Sequence, residues 1–309
     1  MKKGLIIQTR PGVGDACLFL PYIQEITSSY NYHFTVITKK RSSAKDVYEM
    51  EKKISEIVYL EDLISEKKNK INHFFEILKF IKKNNFEVIF IFHFGLFWNL
   101  ISKFSNIKSI YSYGFLKKNV DIYFNALECT KLWLKKNNVS SHCTIPYKTC
   151  EKKKQIILGI GSSGPTKKWP TDSYISLIKK IGNKNIEFYL ASGNNLEEIT
   201  IADQIINELK DFNIKKLSSN SIKEIMKFIK ESLMYIGNDT GFMHLSAGLN
   251  IPSIGLFGDS PLSYANYSKN IYPIIPDGLK TVGHNSRAIH KISVDQVYLK
   301  YLELSKNSL

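Results

Sequence analysis

Short apolar runs alternate with longer amphipathic stretches along most of the chain, which is the pattern of strands separated by helices. Most of the apolar runs are continuous, so they predict parallel sheets that are covered on both faces. The predicted strands of the first half are 5–7, 33–38, 57–60, 86–92 and 109–113, and the predicted helices are 15–30, 43–51, 65–84 and 121–136.

A second alternation starts after a polar stretch, TCEKKK at 149–154. We therefore expect two Rossmann-like domains, 1–150 and 151–309, with the last helix, 294–304, as a candidate to pack back on the first domain. The other elements predicted for the second half are strands at 155–160, 186–191, 213–217, 233–236 and 253–257, and helices at 171–181, 196–209, 221–230 and 241–249.

Composition and charge narrow the class of protein. The chain has 309 residues, 43% of them hydrophobic, and a net charge of +15 from 43 Lys+Arg and 28 Asp+Glu, which indicates a globular, basic protein. Such a charge suits nucleic acid, an anionic membrane surface or an anionic substrate. The lysines are spread as pairs and triplets without a nucleic-acid-binding signature, so we expect no nucleic-acid partner.

No segment resembles a membrane span or a secretory leader. The most apolar stretch, 86–100, includes Glu87, His93 and Asn99 and is shorter than the roughly 20 apolar residues that a span needs. We therefore expect a cytoplasmic protein. The four cysteines include no Cys-x-x-Cys pair, so we expect ordinary thiols and no metal site.

The first candidate site is PGVGD at 11–15, which follows the first strand. Gly12 and Gly14 would allow a sharp turn, and Asp15 would lie where the next helix begins, either as a cap or as a catalytic carboxylate. A dinucleotide site is the rival interpretation. It requires a third glycine where Cys17 stands and an acidic residue where the basic segment 39–41 follows the second strand.

The second candidate site, GIGSSGPTKKWP at 159–170, also follows a strand. Small residues such as Gly161 would let a phosphate approach, and a lysine would supply positive charge. Taken alone, Lys168 reads as a solvated lysine and Trp169 as a core residue that fixes the start of the next helix.

The third candidate site, GNDTGFMHLSAGL at 237–249, leads from a strand into a helix. Asp239 and Thr240 are good capping residues, and free amide groups at a helix N-terminus attract anions. His244 would lie one turn inside the helix. This combination predicts a phosphate-binding site.

These motifs resemble those of glycosyltransferase family 9, the ADP-heptose:lipopolysaccharide heptosyltransferases and their relatives. The resemblance is carried by 237–258, by PTKKWP at 165–170 and by LIIQTRPGVGDACLFLP at 5–21, in the family's order. It implies an α/β GT-B fold, with two Rossmann-like domains facing across a cleft, the donor in the second domain and the acceptor mostly in the first. The segment DSP at 259–261 departs from the family's usual Pro-Thr-Asp-Pro.

The resemblance also implies roles for individual residues and an inverting, metal-independent transfer. The general base would be Asp15, the donor diphosphate would be bound by Lys167 and the amides of Thr240 and Gly241, the donor pocket would be shaped by Asp239 and His244, and the ribose would be bound by Glu197.

The expected donor is a nucleotide-diphosphate sugar, ADP-heptose, with no cofactor. The expected acceptor is a lipopolysaccharide-core, lipid-linked or other surface-glycan saccharide, which suits a basic protein in peripheral contact with the anionic inner face of the inner membrane. Two alternatives remain: a nucleotide-sugar epimerase or hydrolase on the same fold, and a non-catalytic basic binder of carbohydrate or nucleic acid.

Overall fold

The computed structural model describes residues 2–65, 69–114, 121–162 and 164–306. The chain divides into two compact units, Met1–Pro146 and Tyr147–Leu309, close to the boundary expected after residue 150. The start of the helix predicted over 65–84 includes residues 66–68, which lie outside the described residues, as does Ser163 of the second motif.

The described part of the first unit contains a parallel sheet with the strand order β3-β2-β1-β4-β5. Its elements are β1 (Lys3–Ile7), α1 (Val13–Ser29), β2 (His33–Thr38), α2 (Ala44–Val47), β3 (Ile54–Tyr59), α3 (Leu60–Leu63), α4 (Lys70–Asn84), β4 (Val88–Ile91), α5 (Leu96–Phe104), β5 (Ser109–Ser112) and α6 (Ile122–Leu134).

Helices cover both faces of this sheet. On one face, Leu5 and Ile89 of the strands pack with Ile77 of α4 and Ile101 of α5. On the other face, aromatic rings dominate, and Phe19 of α1 makes an edge-on contact with Phe92 next to β4. Burial of both faces explains why the strands read as continuous apolar runs.

The described part of the second unit contains a parallel sheet with the order β11-β10-β9-β6-β7-β8. Read from β8, this is the 3-2-1-4-5-6 order of a Rossmann sheet. Its elements are β6 (Gln155–Gly159), α7 (Thr171–Ile181), β7 (Glu187–Ala191), α8 (Leu196–Glu208), β8 (Asn213–Lys216), α9 (Ile222–Glu231), β9 (Met234–Asn238), α10 (Gly241–Gly248), β10 (Ser253–Leu256), α11 (Ser263–Asn266), β11 (Ile271–Ile274) and α12 (Val294–Lys306).

The core of the second unit lies between its strands and the helices α7, α8 and α12, and includes Leu158, Tyr174, Ile205 and Val297. The last helix, α12, packs on α7 and β10 within its own unit. Parallel α/β organisation in both units confirms the fold class predicted from the hydrophobic pattern. Among the described residues, no helix combines the length and apolar character needed to cross a bilayer.

Candidate functional site

In each unit the strand order reverses once, between β1 and β4 in the first and between β6 and β9 in the second. Ligands of open α/β sheets bind at such switch points, beyond the carboxyl ends of the strands. The predicted motifs lie at these ends: Asp15 follows β1, Lys167 follows β6, and Thr240 follows β9.

Asp15 lies in the first turn of α1, which begins at Val13 rather than at the predicted residue 15. Its carboxylate accepts the backbone amide of Gly12 (3.0 Å) and the Nε of Arg10 (2.9 Å). The side chain remains 20% exposed, so one edge of a well-oriented carboxylate is open to solvent. Asp15 thus caps the helix and is also accessible for chemistry.

The two glycines of this motif occupy different places. Gly12 precedes the helix as its N-cap residue, and a Cβ there would lie 2.8 Å from Oδ2 of Asp15. A side chain at residue 12 would therefore displace the carboxylate. Gly14 is the second residue of α1.

His93 is a further candidate site residue of the first unit, and the sequence motifs did not identify it. It follows β4, and its Nε2 accepts the amide of Thr9 (2.8 Å), which follows β1, so the contact joins the two strand ends at the switch point. Burial lowers the pKa of His93 to about 4, and the positive charges of Arg10 and Lys39 act in the same direction. A neutral imidazole therefore lies beside Arg10, which binds Asp15. The rule that placed Asp15 at a strand end could also have identified His93.

Asn238 fixes the corresponding switch point of the second unit. Its Oδ1 accepts the amide of Trp169 (3.0 Å), and its Nδ2 donates to the carbonyls of Ile160 and Gly161 (3.1 Å each). The side chain is fully buried. The end of β9 is therefore tied to the loop that follows β6, which carries the lysines of the second motif.

The N-terminus of α10 is open. Thr240 is the N-cap residue, but its side chain makes no capping hydrogen bond, and its hydroxyl lies 3.3 Å from the hydroxyl of Tyr235. In the described part of the chain, the amides of Gly241 and Phe242 have no acceptor. Two amide donors at a helix N-terminus are thus available to an anion.

Asp239 and His244 are both buried beside this helix end. His244 Nε2 lies 3.4 Å from Oδ1 of Asp239, and His244 Nδ1 lies 2.8 Å from the hydroxyl of Tyr267. Burial alone would raise the pKa of Asp239, but the contact with His244 and the charge of Lys167 outweigh it, so the pKa is lowered. The pair forms a fixed, polar wall behind the N-terminus of α10.

Lys167 is the last residue of a short 3-10 turn, Pro165–Lys167, and this turn is held by Asp259. The Thr166 hydroxyl donates to Oδ2 of Asp259 (2.6 Å), and the amide of Arg287 donates to Oδ1 (2.8 Å). Burial opposes ionisation of Asp259, but these bonds and the charge of Lys167 lower its pKa. Lys167 follows β6 and α10 follows β9, and these two strands are paired, so the charge of Lys167 lies at the same edge of the sheet as α10.

Lys168 differs from its expected role as a solvated lysine. Its side chain is only 11% exposed, and its Nζ lies 2.7 Å from Glu197 and 3.9 Å from Glu198. Glu197 is 62% exposed, so the predicted ribose-binding residue is the accessible member of the two.

Glu198 is buried and structural. Its carboxylate accepts the amide of Ser162 (3.0 Å) and that of Gly193 (2.5 Å). A Cβ at Gly161 would lie 2.6 Å from Oε2 of Glu198. Gly161 is therefore required by the packing of Glu198.

Trp169 is the core residue that the sequence predicted. It is 3% exposed, its indole donates to the carbonyl of Ile292 (2.9 Å), and its ring packs edge-on against Tyr174 of α7. It fixes the start of α7, and with it the position of Lys167 two residues earlier.

The second unit thus presents open amides at α10, positive charge at Lys167 and an accessible carboxylate at Glu197, each after the carboxyl end of a strand. Such a set can bind a diphosphate and an adjoining hydroxyl-bearing group. Within the described ranges, no group of three His, Cys, Asp or Glu residues is placed to hold a metal ion. The four cysteines are free thiols.

Two α/β units with candidate sites at their switch points are the organisation of a protein of the GT-B class. The model of glycosyltransferase family 9 (heptosyltransferase) matches residues 112–276, which is more than half of the chain. The chain belongs to this family, as its motifs predicted.

Individual relatives agree with this assignment. Lipopolysaccharide heptosyltransferase 1 of Campylobacter coli is 37% identical over 133 residues, which cover 41% of this chain and 38% of that protein. The match therefore spans well under two thirds of the relative's length.

Solved structures share the fold over nearly the whole chain. The glycosyltransferase family 9 protein of Veillonella parvula has a TM-score of 0.78 at 14% identity, covering 99% of this chain and 97% of that one. The E. coli heptosyltransferase WaaC, solved with ADP, has a TM-score of 0.73 at 13% identity, covering 98% and 99%. These similarities confirm the predicted GT-B fold.

Proposed function

We propose that the protein is an inverting, metal-independent glycosyltransferase that moves heptose from ADP-heptose to a lipopolysaccharide-core or related surface-glycan acceptor. The observation that supports this proposal most directly is the open N-terminus of α10. Lys167 lies at the same strand ends, on a turn that the Thr166–Asp259 contact holds in place. Family membership, the name of the Campylobacter coli relative and the ADP in the WaaC structure support this choice.

The second unit would stabilise the leaving diphosphate. As the glycosidic bond to the donor breaks, negative charge develops on the phosphate oxygens. The amides of Gly241 and Phe242 and the positive charge of Lys167 would bind these oxygens, and such fixed donors cost no reorganisation during the reaction. This is the work that a metal ion performs in other transferases, so the proposed mechanism needs no metal.

The first unit would supply the base. Asp15 would accept the proton of the acceptor hydroxyl as that oxygen attacks the anomeric carbon, a contribution of typically 10²–10⁴-fold. Arg10 and the Gly12 amide hold its carboxylate in one orientation, and the exposed edge remains available to the acceptor.

The remaining residues would position the donor. Glu197 is the accessible carboxylate of the group and would accept hydrogen bonds from the ribose hydroxyls. Asp239 and His244 are too buried to move freely and would shape the pocket behind the diphosphate.

The test is a transfer assay with ADP-heptose and a heptose-free lipopolysaccharide core, comparing the wild type with Asp15→Asn. We expect the variant to lose transfer by at least about 10²-fold, because the amide cannot accept the proton, while its affinity for ADP stays within about tenfold. Near wild-type turnover in Asp15→Asn would refute the base assignment.

The same assay separates the alternatives. An epimerase or hydrolase would consume the donor without an acceptor, whereas a transferase requires the acceptor. A non-catalytic basic binder would show no affinity for ADP and would bind mixed DNA with a steep salt dependence. The anomeric configuration of the product, determined by NMR, tests inversion, and full activity in EDTA tests metal independence.

The proposed acceptor carries a lipid and is presented at the inner face of the inner membrane. We therefore infer a cytoplasmic protein that reaches this surface through peripheral contact, to which the net charge of +15 is suited.

A further inference from the structure

The helices α4 and α5 of the first unit carry a cluster of exposed apolar side chains. Ile71 and Phe75 of α4 are 65% and 61% exposed, and Leu96 and Phe104 of α5 are 62% and 53% exposed. The half-buried ring of Phe74 links the two helices, with ring centroids 5.4 Å from Phe75 of α4 and 6.2 Å from Phe104 of α5. We call the four exposed residues the α4–α5 ridge.

Lysines continue the ridge along the same surface. Ile71, Phe75, Lys79 and Lys83 are spaced four residues apart and therefore lie along one face of α4. Lys103 precedes Phe104 at the end of α5. In the described part of the chain these three lysines form no ion pair.

Acidic residues are nearly absent from the two helices. Glu76 is the one acidic residue in the α4 and α5 sequences, and it is half-buried and accepts the amide of Ser65 (3.2 Å). An apolar ridge bordered by unpaired lysines repels a second copy of itself, because like charges would meet. The same arrangement is complementary to an anionic lipid surface, where apolar rings enter the headgroup boundary and lysines contact phosphates.

The ridge also begins at the site end of the sheet. Leu96 opens the helix that follows β4, and Trp98 of the same turn stacks on His93, with ring centroids 6.1 Å apart. His93 in turn accepts the amide of Thr9 at the switch point next to Asp15. A membrane bound along the ridge would therefore lie near the edge at which an acceptor must enter.

We propose that the α4–α5 ridge is the surface by which the protein binds the anionic bilayer that carries its acceptor. This inference rests on the proposed function for the identity of the acceptor, but binding to lipid needs neither donor nor acceptor. The two can therefore be tested apart.

The experiment is co-sedimentation of the full chain with vesicles of equal parts phosphatidylcholine and phosphatidylglycerol, and with pure phosphatidylcholine vesicles. We expect binding to the mixed vesicles that weakens as salt rises, since screening shortens the range of the lysine charges. Phe75→Ser with Phe104→Ser should reduce partitioning at least about tenfold. Lys79→Ser with Lys83→Ser should reduce it about fivefold per lysine at low salt.

Helix α6 provides a matched control. Phe124 and Leu132 are 59% and 74% exposed, but the nearby Lys131 is paired with Glu128 (2.8 Å). Phe124→Ser with Leu132→Ser should leave vesicle binding unchanged. ADP titration of every variant checks that the fold and the donor site are intact, and it reports on the proposed function separately.

Three results would overturn the proposal. The first is a wild type that stays in the supernatant with mixed vesicles. The second is an α6 variant that loses as much binding as the ridge variant. The third is a dimer that forms without lipid in sedimentation equilibrium and that Phe75→Ser dissociates. The last result would assign the ridge to a second copy of the chain.

Discussion

At the scale of single residues, the site depends on buried polar groups whose partners lie far apart in sequence. The sequence motifs located Asp15, Lys167 and Thr240, because each follows an apolar strand. They could not show that Asp259 holds the turn of Lys167, since the Thr166–Asp259 contact joins residues 93 positions apart. Such contacts are set by the tertiary fold, and no local pattern reports them.

The Thr166–Asp259 contact predicts an effect on donor binding. Thr166→Val would leave a buried carboxylate oxygen without its donor and would loosen the turn that carries Lys167, so we expect ADP affinity to fall about tenfold. Thr166→Ser keeps the hydroxyl and should bind ADP like the wild type. Calorimetric titration of both variants makes the comparison, and an unchanged affinity in Thr166→Val would argue against the positioning role of Asp259.

His93 predicts a pH dependence of stability. Its pKa in the folded state is about 4, below the ordinary 6.5, so between these values the unfolded chain binds a proton that the folded chain does not. The free energy of unfolding should therefore fall as the pH drops from 6.5 towards 4, by up to about 1.4 kcal/mol per unit from this group.

Urea unfolding of His93→Gln at several pH values in this window measures the contribution. In His93→Gln the free energy of unfolding should depend less steeply on pH than in the wild type. His290→Gln, which alters an exposed histidine, should keep the slope of the wild type. Equal slopes in the wild type and His93→Gln would show that His93 takes up its proton in the folded protein.

At the scale of elements, continuous apolar runs predicted most strands, but the helices α3, α5 and α11 and the strand β11 were missed. Helix α5, LFWNLISKF, is only nine residues long, and its apolar start merges with the apolar run of β4 in the sequence, so no boundary marks where the helix begins. Strand β11 contains Pro273, which argues against a central strand. The strand forms nonetheless because β11 is the edge of its sheet and pairs only with β10 among the described strands.

The junction of β6 and β9 predicts an element-level effect on stability. Asn238→Ala would leave the amide of Trp169 and the carbonyls of Ile160 and Gly161 unpaired in the interior, at a cost of about 2–4 kcal/mol. Asn195→Ala, which removes the cap of α8, should cost only about 1 kcal/mol. Chemical denaturation measures both, and a loss in Asn238→Ala no larger than that in Asn195→Ala would contradict the account.

At the scale of the whole molecule, two units with parallel sheets each reverse their strand order at one point, and the predicted motifs lie at those points. The alternation of strands and helices made this organisation predictable. It also placed Asp15 and the α10 motif on different units. The sequence could not show which of Glu197 and Glu198 is accessible to a ligand. Adjacent residues of α8 differ in exposure only because the helix packs against the rest of its unit.

The central claim is that the open amides of α10 bind the donor diphosphate, and Gly241 allows it to be tested directly. Gly241 is the first residue of α10, where proline is well tolerated and removes only the free amide hydrogen. Gly241→Ala keeps that hydrogen and controls for the added side chain. In a calorimetric titration with ADP, we expect Gly241→Pro to lose about tenfold or more in affinity and Gly241→Ala to stay near the wild type. Equal affinity in Gly241→Pro and the wild type would contradict the claim.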